Sequence, residues 1–244
     1  MVQLRAGVIE VDHVIDLGRI PGLRQIHEAE DGSIRIGAGV SMSDVYSSDI
    51  VRNRYPALAE GARLVGSQQI QNRATLVGNV CNASPAADTV APLHVHEARV
   101  RVTGPRGCRS VPIGDFAVGP GSTCLGEGEW ATGIDLPPDG AGSSAYEKLG
   151  RTRGVDIAIA GVACRVSDGR ACIAFASVAP TVVRGHHTEA ALDEAGRFDE
   201  DVGAAVQLDI SPIDDIRSSA RYRRLVIPGL AQQAWTRAVE RAES

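Results

Sequence analysis

The run Pro137–Ser144 (PPDGAGSS) does most to constrain how this chain can fold. Proline cannot extend a helix or donate to a sheet ladder, and glycine and serine favour turns, so the segment reads as a linker. It places the main domain boundary there and divides the chain into a first unit over 1–140 and a second over 145–244. A chain of 244 residues is long enough for two ordinary domains, each with a real core.

On the N-terminal side, Val14–Leu17 is a short apolar segment that ends at Gly18. Ser33–Ile36 alternates polar and apolar side chains and then meets Gly37-Ala38-Gly39, which predicts a strand running into a turn. Ser41 and Ser43 are N-cap candidates for a helix over Ser43–Ile50. Pro56 starts a second helix, with Leu58, Ala59, Ala62 and Leu64 on one face. Gln69–Val80 reads as passing through a polar loop. Ala98–Thr103 and Arg109–Pro112 read as strands joined by a Gly-Pro-Arg-Gly turn, and Trp130–Leu136 as another strand.

Beyond the linker, Ala158–Val166 is a mostly apolar strand, and Asp168-Gly169 is a hairpin turn leading into a partner strand over Ala171–Val178. Helices are expected from Thr188–Leu192, Asp201–Gln207, Asp214–Ala220 and Leu225–Val239, with Pro228 kinking or dividing the last. Strands followed by helices in this order predict an α+β fold rather than a doubly wound sheet.

A net charge of −5 gives no reason to expect nucleic acid or an anionic membrane as a partner. Lys148 is the only lysine among many arginines. Cys81, Cys108, Cys124, Cys164 and Cys172 are scattered, odd in number and without a CxxC pair. That argues against a disulfide framework and against a zinc or iron–sulfur site built within this chain, and a reducing cytoplasm is the expected setting. No signal peptide opens the sequence and no apolar run reaches membrane-spanning length.

The stretch Asn72–Leu93 (NRATLVGNVCNASPAADTVAPL) gathers Thr75, Gly78, Asn79, Asn82, Ser84 and Asp88, with almost nothing large among them. Glycine can aim successive N–H groups at an anion, hydroxyls and amides add short hydrogen-bonding arms, and a carboxylate accepts from polyol hydroxyls. These are the materials of a loop that grips a phosphate and a polyol. Other chemistries find less support. Gly37-x-Gly39 lacks the third glycine of a dinucleotide fingerprint, no P-loop lysine is present, and no HExxH or nucleophile elbow appears. His94 and His96 alternate on an expected extended segment and share a face, but a third metal ligand is missing. His186-His187 reads as a solvated pair in a loop. Redox chemistry carried by a bound cofactor fits a chain without an acid–base–nucleophile set.

The same stretch resembles the second flavin-contacting motif of the FAD-binding (medium) subunits of molybdenum hydroxylases, the carbon monoxide dehydrogenase and xanthine dehydrogenase flavoproteins. Thr75-Leu76-Val77-Gly78-Asn79 resembles the family's T-I-G-G-N, with Val77 in place of the first glycine, and Asn82–Asp88 matches closely. Val14–Ile26 is similar to the strand after the family's first FAD motif, and Ile34–Val45 to the strand–turn–helix that follows. Tyr146–Ala158 (YEKLGRTRGVDIA) resembles the segment that brings a lysine and an arginine-rich turn toward the flavin.

The resemblance implies an FAD-binding domain followed by a smaller sheet-plus-helices C-terminal domain. It implies that Thr75, Gly78 and Asn79 lie along the phosphates and ribityl chain, that Ser84 belongs to the same motif, and that Asp88 holds ribityl or ribose hydroxyls. Val65 falls beside the isoalloxazine, and Lys148 where a cation raises the flavin's potential. It further implies a large molybdenum-cofactor subunit and a small iron–sulfur subunit as partners, with electrons leaving through FAD to NAD or another acceptor. The family's opening A-G-G-T-D-L-like loop has no counterpart after Met1. The sequence is therefore expected to represent either an N-terminally shortened flavoprotein or a non-catalytic remnant that keeps the fold and binds FAD weakly.

Overall fold

The protein is described from a computed structural model, which covers residues 6–7, 10–152 and 154–243. After a single 3-10 turn at Leu17–Arg19, β1 (Ile26–Glu28) and β2 (Ile34–Gly37) form an antiparallel pair. Six short helices follow: α1 (Met42–Ser47), α2 (Asp49–Arg54), α3 (Pro56–Arg63), α4 (Gln68–Gln71), α5 (Leu76–Cys81) and α6 (Val90–Val95). Then come β3 (Arg99–Gly104), β4 (Gly107–Pro112), α7 (Ile113–Phe116), β5 (Ala117–Gly119), β6 (Ser122–Thr123) and β7 (Trp130–Leu136). The rest comprises β8 (Ser143–Leu149), β9 (Ala160–Ser167), β10 (Arg170–Ala176), β11 (Val183–Arg184), α8 (His186–Ala195), α9 (Glu200–Asp209) and α10 (Ala220–Ala242).

The first sheet has the order β1-β2-β7-β3-β4, so the late strand β7 inserts between β2 and β3. Alternation sets its two faces. Ile34, Ile36, Val100, Val102, Ile134 and Leu136 point inward and are buried. Arg35, Arg101 and Asp135 meet on the outer face, with Arg101 Nε 3.0 Å from the Asp135 carboxylate. The short helices cover the inner face, where Tyr55, Leu58, Leu76 and Leu93 complete one core.

The second sheet runs β11-β10-β9-β8, and every strand pair in both sheets is antiparallel. An α+β fold is therefore what the strands and helices build. Asp168 and Gly169 make the β9–β10 turn with φ of 50° and 74°, the left-handed pair that matches strand twist. β9 is buried on both faces. Ala160, Val162 and Cys164 meet Ile227, Ala231 and Ala234 of α10, while Ala163 joins the first core. That is why β9 reads as a near-continuous apolar run rather than an alternation.

Several local expectations change. Val14 and Ile15 are exposed and belong to no strand, and the strand of that region starts only at Ile26. The helix expected over Ser43–Ile50 is two helices, because Ser48 ends α1 and its hydroxyl accepts from Val51 N–H to begin α2. Ser41, not Ser43, caps α1 through a capping box with Asp44. Leu64 lies past the end of α3 and is exposed. Of Asp214–Ala220 only Ala220 is helical, as the first residue of α10. Asp215 draws in Arg217 and Arg223 there, and Ser219 caps α10.

Pro228 does not divide α10. The Arg224 carbonyl, four residues earlier, loses its usual donor and instead accepts from Gln207 Nε2 at 2.9 Å. The Pro137–Ser144 run is a packed turn with Gly140 buried, and its carbonyl accepts from His96 Nδ1–H at 2.7 Å.

Candidate functional site

The Asn72–Leu93 stretch is more helical than its composition suggests. Leu76, Val77 and Val80 face the core and pull the segment into α5. Thr75 sits at the N-cap with extended backbone, and its hydroxyl accepts from the Gly78 N–H at 3.0 Å. Val77 is an ordinary helical residue whose side chain fills the core, so a β-branched residue is accommodated there. Replacing Thr75 by alanine should cost about 1 kcal/mol of stability, with serine restoring most of it, as read from urea midpoints.

Beyond α5 the polar side chains knit the segment together. Asn79 Oδ1 accepts from the Thr89 hydroxyl at 2.7 Å, and Ser84 Oγ accepts from Ala86 N–H at 3.3 Å. Asp88 is buried, and both of its oxygens are used within the chain. Oδ1 accepts from the Tyr146 hydroxyl at 2.9 Å and Oδ2 from Lys148 Nζ at 2.7 Å. Tyr146 and Lys148 are two apart on β8, so the strand turns both toward the same side. Glu147, between them, points the other way and pairs with Arg237 of α10.

Lys148 also donates to the Leu64 carbonyl at 3.3 Å, next to Val65. Burial raises the Asp88 carboxyl above its usual range, opposed by Lys148 and by the Tyr146 hydrogen bond. Burial and the Asp88 charge push the Tyr146 phenol well above its ordinary value, so it stays a donor. Gly161, opposite Lys148 on β9, leaves the space that the Tyr146 hydroxyl occupies.

Lys148 and Asp88 thus pair directly, Asn79 bonds the residue after Asp88, Thr75 caps the helix that carries Gly78 and Asn79, and Val65 follows the residue whose carbonyl Lys148 contacts. Ser84 stands apart and lines a small internal space with Val80, His94 and Phe116. Two open clefts border the linked residues. One, of about 490 Å³, is lined by Arg63, Leu64, Tyr146, Lys148, Thr152 and Asp156. The other, of about 590 Å³, is lined by Arg24, Gly39, Ser41, Asn72, Arg73 and Thr75. Arg24 and Arg73 have no ion-pair partner among the described residues. Tyr146 and the two arginines were missed by sequence reasoning. The i, i+2 spacing of Tyr146 and Lys148 was the available signal for the tyrosine.

The histidines lie on helices or at a helix end rather than in extended or loop segments, with His186 and His187 exposed as expected. His94 lies in α6 and donates to Val90 O at 2.8 Å, and His96 ends that helix. His96 is fully buried with Nε2 3.2 Å from Ser144 Oγ, which in turn accepts from Ala57 N–H of α3 at 3.0 Å. Burial pushes His96 down to about 4, and with both ring nitrogens taken by Gly140 and Ser144 it is a neutral structural link. No metal-ligating group of three or more His, Cys, Asp or Glu occurs among the described residues. His186 and His187 open α8, and His187 Nδ1 meets Asp209 at 2.8 Å. Of the arginine-rich turn, Arg151 pairs with Asp156, whereas Arg153 lies outside the described residues, as do Met1–Arg5. Among the described residues no helix is long and apolar enough to cross a membrane.

Comparison with known proteins bears directly on this geometry. The FAD binding domain in molybdopterin dehydrogenase matches residues 1–139, and the CO dehydrogenase flavoprotein C-terminal domain matches residues 144–238. The chain is 36% identical over 243 residues to the carbon monoxide dehydrogenase medium chain of Hydrogenophaga pseudoflava, covering 96% of this chain and 83% of that one. It is 31% identical over 252 residues to the xanthine dehydrogenase FAD-binding subunit of Escherichia coli O157:H7, covering 99% and 86%. Among solved structures, a carbon monoxide dehydrogenase from Hydrogenophaga pseudoflava that lacks the Mo-pyranopterin moiety superposes with a TM-score of 0.88 at 34% identity, over 99% of this chain and 86% of that one. With two matching domains in the family's order and a polar cleft beside a buried lysine, the chain belongs to the FAD-binding flavoprotein subunits of the molybdenum hydroxylases, an oxidoreductase component that takes FAD as its cofactor.

Proposed function

We propose that this chain is the flavin station of a multi-subunit dehydrogenase. It would receive electrons that a molybdenum centre on a large subunit takes from substrate and a small iron–sulfur subunit relays, and pass them to NAD or another acceptor. The observation that carries this reading is a pair of clefts, one lined by Arg24, Arg73 and Thr75 and the other by Tyr146 and Lys148. Arg24, Arg73 and Thr75 form a donor set suited to a pyrophosphate, because guanidinium–phosphate hydrogen bonds are charge-assisted. Thr75 lines that end, and Gly78 and Asn79 follow it on α5. At the other end Val65 supplies apolar contact, and Lys148 and Asp88 supply the polar edge of the ring site.

FAD, when bound, supplies the ability to accept and release electrons. The chain's own residues bind and orient it and set the charge around it. Lys148 cannot swing freely, since Asp88 and the Leu64 carbonyl hold its ammonium. A fixed charge costs no reorganisation when the charge on a neighbouring group changes.

The test is a fluorescence titration of FAD into the flavin-stripped complex, alongside the Arg73→Ala variant. One FAD per chain is expected. The variant should bind about tenfold to a hundredfold more weakly, the value of a lost charge-assisted hydrogen bond. A complex that retains its subunits but takes up no FAD would instead support a non-catalytic remnant.

A further inference from the structure

We propose that Asp88 is the counter-ion of Lys148 and that Tyr146 fixes it in place, so that the flavin faces a compensated cation rather than a bare one. This rests on the FAD reading above, and it assigns Asp88 and Tyr146 as positioning residues.

A carboxylate has about four acceptor positions, and the orientation of Asp88 is set by those it fills within the chain. Asp88 has Oδ1 taken by Tyr146 at 2.9 Å and Oδ2 by Lys148 at 2.7 Å. The side chains of Asp88 and Lys148 are each only 9% exposed, so water screens their attraction weakly. Their charges therefore cancel at distance, and a neighbouring ring feels a dipole instead of a full positive charge.

Three parts of the fold hold that dipole in one orientation. Gly61 of α3 lets the helix approach the Asp88 backbone, β8 presents Tyr146 and Lys148 on one face, and the Leu64 carbonyl takes the third contact. The other charged groups of the surrounding elements are largely committed elsewhere. Glu60 of α3 binds Arg237, Arg241 and the Tyr146 N–H, and Glu147 binds Arg237. Arg63 is exposed at the cleft margin. None of them reaches the Asp88 carboxylate. The strength of the positive field at the ring edge is thus set by how completely Asp88 neutralises Lys148.

The test is a midpoint-potential titration of the FAD-loaded complex in four variants, with FAD affinity measured in parallel. Asp88→Asn uncovers the lysine and should raise the potential. Lys148→Met uncovers the carboxylate and should lower it. The double variant removes both charges and should return close to the parent value. Tyr146→Phe keeps both charges but strands Oδ1, which favours the protonated acid, and should move the potential the way Asp88→Asn does, by less.

FAD affinity should change less than about tenfold in Asp88→Asn. Loss of affinity beyond that with an unchanged potential would overturn the proposal in favour of a hydroxyl ligand. So would a double variant that behaves as Lys148→Met. If the parent complex bound no FAD, the FAD reading would fall. The counter-ion would still be judged by thermal unfolding, where the double variant should be more stable than Lys148→Met alone; equal stability would overturn it.

Discussion

Lowering the pH from 7 to 4 should remove about 3 kcal/mol of folding stability through His96 alone. In the folded protein the imidazole is fully buried and held down to about 4, against an ordinary value of 6.5. The folded state therefore resists the proton while the unfolded state accepts it. Stability contributed by neutral His96 is intact above pH 6.5, falls as the pH drops toward 4, and loses nothing further below that. The cause is burial, which disfavours the charged ring more than the bond from Nδ1–H to the Gly140 carbonyl favours it. The neutral ring sits in a relay from Ala57 N–H to Ser144 Oγ and from the Ser144 hydroxyl to His96 Nε2, and a protonated ring would present Nε2 as a donor and deprive that hydroxyl of its acceptor.

His94, also buried and shifted downward, acts in the same direction. Chemical denaturation at a series of pH values checks this, with His96→Asn as the control. The variant should start less stable at pH 7 and show a shallower decline between pH 6.5 and 4. An unchanged slope would remove His96 as the cause.

Gly61→Ala should be strongly destabilising. A β-carbon at that position would collide with the Asp88 carbonyl oxygen and press on Pro92 Cγ at 3.1 Å. Backbone cannot swing aside as a side-chain end can, so α3 or the Asp88 loop must move. Overpacking of this kind costs about 1–3 kcal/mol. It should also displace Leu64 and Asp88 relative to Lys148, so weaker FAD binding is expected along with a lower urea midpoint. Gly203→Ala, where the added carbon would meet nothing closer than Pro228 Cβ at 3.9 Å, serves as the matched control and should be nearly neutral.

The regular elements were legible where a local signal and tertiary burial agree. Trp130–Leu136 is a strand because its residues alternate across a sheet with one covered face. Asp168-Gly169 is a hairpin because its backbone requirement is local. The failures lie where the two disagree. Asn72–Cys81 carries asparagines and a glycine that favour turns, yet burial of Leu76, Val77 and Val80 makes much of it helical. Val90–Val95 is buried on all sides, so no periodicity marks it as a helix, and His94 was placed on an extended segment instead. At the site, resemblance supplied Asp88 and Lys148 as individuals. Their pairing joins positions 60 residues apart and was written in no local pattern.

The sheet that β8, β9 and β10 form has no face to spare. One side takes α10, and the other takes α3 and α6, with Ala57 of α3 borrowing a hydrogen-bond acceptor from Ser144. A fragment cut at the Pro137–Ser144 turn would bare Tyr146, Ala163, Ala174 and Ala176 on one piece and orphan the start of α3 on the other. The two family matches meet in this chain at residues 139 and 144, yet one interior runs across that boundary.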